Sequence, residues 1–560
     1  MCLLCLCGSK KIYTCNITKT IIMKRNLLFI LLLIFGSQLS FSNTENNLAG
    51  ETPVEVEAIP VNNFLNSLGI NTSIAKRGES YLRTAECLNY LGIRWVRSGF
   101  ENDLEIRHLK AVAAEADVKF SYGLGSGSTR IDKLIEGAKE LAEADLLLAL
   151  EGVNEPNNWG FEYQGEMGGG AYTWMPIAKL QRDMYAAVKS DPVLKDYPVF
   201  GLSNSGAQND NVGLQYLTIP IGAGTLMPDG TKYADYANCH NYIVFPGSQG
   251  LTDNKTWISA DPGPECWADG LYGNYGKTWS KKFNGYSVEE LQTLPRVTTE
   301  TGIQIGTEGT TTHRQGCFYL NLYLSQYKRG WDYTAIYILR DRSDETGNQA
   351  YGFYDKNYVK RKSADYLHNM TTVLKDEKTT FTPGKLAYAI PNQPNTVHDI
   401  LFQKSDGTFM LVLWGENFVS QAKFVTINFD KEHSVINIFD PTEGETPINK
   451  FENKSSISLS VYDHPVILQF GEIQSNGIDN IIHKQKTDAF FSPGTDILNL
   501  FGTAEIKEIK LYSLTGNLIF AQENPSTEVV IPGLSSGVYL AQAKYNDGKT
   551  ESIKIVKSEL

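Results

Sequence analysis

The chain has 560 residues, 42% hydrophobic and 20% charged, a globular balance with more length than one domain needs. A formal net charge of −12, with no basic run in the body, excludes nucleic acid and anionic membrane as partners and leaves neutral polymers open. The 8 cysteines show no Cys/His spacing of a zinc site, so no metal and no other cofactor is expected.

Met23-Lys-Arg-Asn, the apolar run Leu27–Phe35 and the small-residue exit after it have the order of a secretory signal peptide, with Met23 as the start. Residues 1–43 are therefore an upstream extension plus a signal peptide, too short in its apolar core to span a membrane. Residues 44–62 are polar and acidic with prolines and read as a linker. From 63 to 376 the pattern is strand, turn, helix, repeated. Strands are expected at Ser67–Ser73, Ile93–Phe100, Val118–Gly125, Leu146–Glu155, Tyr197–Ser205, Tyr233–Tyr242, Arg296–Gly302 and Tyr333–Asp341. Helices are expected at Tyr81–Leu91, Leu104–Ala116, Ile131–Ala144, Pro176–Asp191 and Ser363–Leu374. Apolar strands that turn polar at their C-terminal ends, alternating with helices, predict a (β/α)8 barrel, whose chemistry sits at those ends. A doubly wound sheet would need a glycine-rich phosphate turn after the first strand, which SLGINTSIAKRG does not supply.

Helical periodicity then disappears, and 377–472 reads as short alternating strands, an all-β sandwich. Residues 473–486 make a second linker, and 487–560 a small C-terminal β domain.

Two glutamates stand at strand ends. Glu155 closes LLLALEGVNEP, and Glu300 closes RVTTETG. Cutting a glycosidic bond takes one carboxyl that protonates the leaving oxygen and one that stabilises or bonds the anomeric carbon, about 5–5.5 Å apart when configuration is retained. Arg97, at the second strand, is placed to lower the pKa of one of them, and the resulting charge raises the other. Asn154 offers an amide to a sugar hydroxyl, and Thr298, Thr299 and Thr301 offer hydroxyls. Trp159, Trp174, Trp257, Trp267 and Trp279 lie in loops where rings either stack on sugars or pack. Glu308, His313 and Arg314 read as a solvated loop, and Cys266 and Cys317 form a disulfide only if loops bring them together.

Asn154-Glu155-Pro156, Glu300, Arg97 and the CHNY run Cys239–Tyr242 resemble the retaining β-glycosidases of glycoside hydrolase clan A. The resemblance implies that Glu155 is the acid/base and Glu300 the nucleophile. It also implies that Arg97, His240 and Tyr242 support the nucleophile and the sugar bound beside it. The eighth strand carries Tyr337 where many relatives carry Trp. Ile509–Ile519, Leu534–Gln542 and the basic ending resemble the C-terminal sorting domain of the type IX secretion system, although FFSPGTDILNL stands where such domains often begin with Asn-Pro.

The expectation is a secreted or surface-exposed, monomeric, retaining glycoside hydrolase, endo-acting on a β-glucan-type polymer and partnered only by carbohydrate and the secretion machinery. The alternatives are a surface glycan-binding protein that has lost its chemistry and a transglycosylase using the same glutamates.

Overall fold

The computed structural model describes residues 51–560 except 75, 101–104, 170–173, 206–216, 223, 243–255, 261–292, 345–348, 379, 417–421, 472–487, 492–495, 502–505, 514, 527, 547, 549 and 558–560. The signal peptide, Cys266, Trp267, Trp279 and the second linker lie outside the described residues.

The chain enters through β1 (Val54–Glu57), β2 (Ile59–Pro60) and helix α1 (Val61–Ser67), where a linker was expected. The barrel follows as β3 (Leu68–Asn71), α2 (Tyr81–Leu91), β4 (Trp95–Phe100), α3 (Ile106–Ala116), β5 (Lys119–Gly123), α4 (Ile131–Glu143) and β6 (Leu147–Glu151). A hairpin, β7 (Phe161–Tyr163) and β8 (Glu166–Gly168), precedes α5 (Met175–Ser190). The fifth barrel strand is broken into β9 (Val199–Phe200) and β10 (Asn204–Ser205). Then come β11 (Ala237–His240), the short turn α6 (Thr256–Ser259), β12 (Arg296–Thr301), α7 (Thr312–Lys328), β13 (Tyr333–Ile336) and α8 (Lys362–Leu374). All neighbouring pairs are parallel in the order β10-β11-β12-β13-β3-β4-β5-β6-β9. Because β9 and β10 are two pieces of one strand, and Phe200 bridges to Tyr236, the order closes into a ring of eight.

Side chains on a strand alternate between the helices outside and the lumen inside, and this period of two builds the interior in layers. The floor is aromatic: Trp95 meets Tyr333 edge to face at 5.8 Å, and Phe200 meets Tyr236 at 5.4 Å. Gly69 leaves room for the Trp95 indole, since a Cβ there would lie 2.1 Å from the ring. Two residues further along each strand the lumen turns polar. Arg97 stands above Trp95, Glu151 above Ala149, Asn238 above Tyr236 and Thr299 above Val297, all of them buried.

The next block is β14 (Lys385–Ala389), β15 (Val397–Gln403), β16 (Phe409–Gly415), β17 (Lys423–Phe439), β18 (Asn449–Val461) and β19 (Pro465–Phe470). β17 is one long strand of 17 residues, where short strands were expected. The first part of β17 pairs with β14 and its last part with β19, with a register shift against β18 between Asn428 and His433. The long strand therefore serves both halves of the sheet, and Val425, Ile427, Leu411, Leu413 and Leu468 share one core. β1 adds to β14 and β2 to β15, so the presumed linker supplies edge strands to this sheet.

Helix α7 explains how the sandwich holds the barrel. Its residues Gln315–Gln326 are all buried, because the barrel covers one side and the sandwich the other. Two of its polar side chains bond across the seam: Asn321 Nδ2 donates to the Gly415 carbonyl at 2.9 Å, and Trp414 Nε1 donates to Ser325 Oγ at 3.1 Å. Phe64 of α1 stacks on Phe402 at 5.1 Å.

The C-terminal strands are β20 (Asp488–Phe491), β21 (Ile497–Phe501), β22 (Ile506–Ser513), β23 (Leu518–Glu523), β24 (Glu528–Val530), β25 (Gly537–Tyr545) and β26 (Thr550–Lys557). They form a three-stranded and a four-stranded sheet around Leu498, Leu500, Ile509, Leu511 and Ala541. No helix among the described residues is long and apolar enough to cross a membrane.

Candidate active site

The polar layer opens at the C-terminal ends of the strands. β6 ends at Glu151 rather than at Glu155, and the chain continues through a single bridge from Asn154 to Ser203. Glu155 sits at φ 41°, the left-handed region that non-glycine residues enter at a cost. Pro156 disfavours the right-handed helical region for the residue before it. Glu155 N–H donates to the Ser203 carbonyl at 2.9 Å, and its own carbonyl accepts from Asn158 and Trp159, which fixes the turn. Glu300 arrives differently. Period-two alternation with buried Thr299 would send it away from the lumen, but the register between β12 and β13 shifts between Thr298 and Thr301. Such irregularities re-aim side chains.

The two glutamates meet. One carboxylate oxygen from each and one ring nitrogen of His240 all lie within 4.8 Å of one another. Glu300 Oε2 accepts from Arg97 Nη1 at 3.0 Å, and its Oε1 accepts a short hydrogen bond from the Tyr242 hydroxyl. Glu155 Oε1 lies 2.9 Å from His240 Nδ1, and its Oε2 accepts from Asn158 Nδ2 at 3.0 Å. His240 is thus the partner of Glu155 first, with Glu300 at 3.7 Å. Asn154 turns its Oδ1 to Arg97 Nη2 at 2.7 Å and its Nδ2 to Ser126 Oγ at 2.9 Å. Of the three threonines, only Thr299 joins the network; Thr298 and Thr301 bond the Cys239 and Asn241 carbonyls.

The Glu155 carboxyl is held below its usual range: burial alone would raise it, but the His240 contact, the Asn158 hydrogen bond and the Arg97 charge outweigh burial. Burial and the Glu300 carboxylate push the Tyr242 phenol well above its ordinary value, so it donates. Tyr337 lies in an aromatic wall, 5.6 Å from Tyr351, which in turn lies 5.9 Å from Tyr242.

Residues 489–558 match the family model of a secretion system C-terminal sorting domain. No curated relative matches the chain. Among solved structures, a family 39 glycoside hydrolase from the gut symbiont Bacteroides cellulosilyticus WH2 is similar at 13% identity, over 74% of this chain and 83% of that one, with a TM-score of 0.49. A bacterial orthologue of human α-L-iduronidase is similar at 12% identity over 91% and 98%, with a TM-score of 0.45. The catalytic domain of a family 30 xylanase C from Talaromyces cellulolyticus is similar at 11% over 75% and 98%, with a TM-score of 0.43. At these scores the barrel assignment rests on the ring of parallel strands itself.

Several expected residues fall elsewhere. Trp159 is 53% exposed beside Glu155 and remains a candidate platform. Trp174 is buried, and Trp257 stacks on His398 of the sandwich at 3.7 Å, so both are packing residues. His313 is not in a solvated loop: it lies in the first turn of α7, with Nδ1 2.7 Å from the Tyr366 hydroxyl. Cys317 is buried with a free thiol, 3.7 Å from His313 Nε2.

Among the described residues a second group, His313, Cys317 and Asp463, also places three ligand-type atoms within 4.8 Å. Its imidazole and carboxylate already have protein partners, His313 on Tyr366 and Asp463 on His464 at 3.0 Å, so hydrogen bonding there is met without an ion. Glu151, Asn238 and Asn158 are site residues that sequence reasoning passed over. A lone acid inside the apolar run LLLALE was the available signal, because a buried charge needs a partner.

Proposed function

We propose that this chain is an exported, retaining glycoside hydrolase. The observation that carries the proposal is the approach of Glu155 and Glu300, with oxygens within 4.8 Å, at the end of the barrel where such folds do chemistry. In this reading Glu300, held in place by Arg97 and Tyr242, attacks the anomeric carbon while Glu155 protonates the leaving oxygen. Glu155 then takes a proton from the water that releases the sugar from Glu300. Both steps use the same carboxyl in alternate protonation states. Because Glu155 sits below its usual range, the protonated fraction needed for the first step falls as pH rises through that value, which gives an acidic optimum.

The exposed Trp159 ring next to the acid/base favours an extended sugar chain running across the mouth, and a β-glucan-type polymer cut internally is the substrate proposed. The sorting-domain match over 489–558 supports delivery to the cell surface or beyond by the type IX route. The deciding experiment is proton NMR of the first product from a responsive polysaccharide. Release of the β-anomer supports double displacement, whereas initial release of the α-anomer refutes it. A protein that binds glycans without releasing any product refutes the enzyme reading as a whole.

A further inference from the structure

Among the described residues Arg97 is the one side chain that touches both Glu300 and Asn154, and what orients it is a carboxylate outside the pair. Glu151 is 2% exposed and accepts from Arg97 Nε at 3.1 and 2.9 Å and from Arg97 Nη2 at 2.9 Å. Thr299 Oγ1 donates to its Oε1 at 2.8 Å, Ser121 Oγ to its Oε2 at 3.2 Å, and Asn238 Nδ2 lies 3.5 Å from Oε1. These contacts come from β4, β5, β11 and β12, so the lumen is built around this carboxylate from four strands. Gly123 on β5 makes the space: a Cβ there would lie 2.7 Å from the Cβ of Glu151.

A guanidinium is planar, so gripping its Nε edge fixes where its remaining N–H bonds point. With that edge held by Glu151, Nη1 points at Glu300 and Nη2 at Asn154. The charges count as well. The groups facing Arg97 are Glu151, Glu300 and Glu155, with His240 and Tyr242 next to the last two. Without the Glu151 charge, the full field of the buried cation would fall on the remaining carboxylates and hold Glu155, already lowered by it, more strongly ionised.

We propose that Glu151 is a positioning residue that acts through Arg97, holding the guanidinium plane on the nucleophile and offsetting its charge so that Glu155 can be protonated when the leaving group needs a proton. The inference rests on the hydrolase reading above. A merely structural counter-ion would affect folding or yield; a positioning residue also moves the pH profile.

The test uses the full chain, with Glu151→Gln, Glu151→Asp and Glu300→Gln measured on one substrate. Glu151→Gln keeps size and removes charge: kcat is expected to fall roughly 10–100-fold with KM little changed, as for a misplaced catalytic group. The alkaline limb of its kcat/KM profile, set by Glu155, is expected to move to lower pH. Glu151→Asp keeps the charge and withdraws the grip by one methylene: that limb stays at wild-type pH while kcat falls about tenfold. Where Glu151→Gln fails to fold, wild-type kcat in Glu151→Asp overturns the proposal. An unmoved alkaline limb in folded Glu151→Gln, alongside a dead Glu300→Gln, overturns the positioning role and leaves the hydrolase reading standing. Hydrolysis that persists in Glu300→Gln overturns both.

Discussion

Two regions of this molecule bury clusters of charge, and they are built to opposite ends. In the barrel mouth, Arg97 faces three carboxylates, Glu151, Glu300 and Glu155, and the last two keep side-chain exposures of 14% and 15%. At the seam between barrel and sandwich, His464 bridges Asp440 at 3.2 Å and Asp463 at 3.0 Å, and Asp440 also accepts from the Thr442 amide and hydroxyl at 2.8 and 2.7 Å. The seam cluster is tied chiefly to itself, one imidazole held between two aspartates whose side-chain exposures are 9% and 14%. The mouth cluster sets three carboxylates against one guanidinium at the C-terminal ends of the barrel strands, where a substrate can reach it. Buried charge by itself therefore does not mark a site; its place at the C-terminal ends of the barrel strands is what makes the mouth cluster the candidate.

The comparison breaks first at Glu300. Glu300→Gln is expected to lower kcat by at least ~10³-fold while thermal stability stays near wild type, read by initial rates and a melting curve. If stability falls instead of rate, the mouth is a structural cluster like the seam. At the seam the expectation reverses: Asp440→Asn leaves the His464 cation short of a partner and costs about 3–5 kcal/mol of unfolding free energy by denaturant titration, with kcat per folded molecule unchanged.

The seam also carries a pH signature. Burial alone would lower the His464 pKa, but the Asp440 charge and the bonds to Asp440 and Asp463 hold it well above its ordinary value. A raised folded pKa gives stability that is whole below about 6.5, the unfolded value, and is lost as pH climbs through the folded value. Asp440, lowered to about 2, contributes above its unfolded value of about 3.9, and that contribution goes only as pH falls through about 2. Melting temperature should therefore decline on the alkaline side, and the decline should flatten in His464→Gln.

Smaller effects sharpen the mouth. Trp159→Ala should raise KM for polymer roughly 2–10-fold and leave kcat on a short aryl glycoside alone, if the ring is a stacking platform. Asn158→Ala removes a donor to Glu155, so that carboxyl rises and the alkaline limb of the rate profile moves to higher pH. A limb that stays in place would mean that Asn158 does not tune the acid.

Helix α7 shows where reading the sequence stops. It has no amphipathic stripe to find, because packing on both faces buries Gln315 and Asn321 as fully as Leu320. By contrast, Tyr81–Leu91 was legible to the residue, since only one face of α2 is buried and the spacing of Ala85, Leu88 and Leu91 shows it. The stretch 54–60 looked like a linker because an edge strand at the protein surface needs few apolar residues: β1 has the burial pattern of an exposed strip.

By itself, the sequence determined the alternation of strand and helix that makes the barrel, the β-rich blocks after it, and the two glutamates worth pairing. These follow from periodicity and local chemistry within a dozen residues. Only the tertiary structure decided who partners whom: that Arg97 is gripped by Glu151 before it reaches Glu300, that His240 serves Glu155, and that a register shift turns Glu300 into the lumen. Those facts depend on the register between strands far apart in the chain, and a shift of one residue reverses which face a side chain takes.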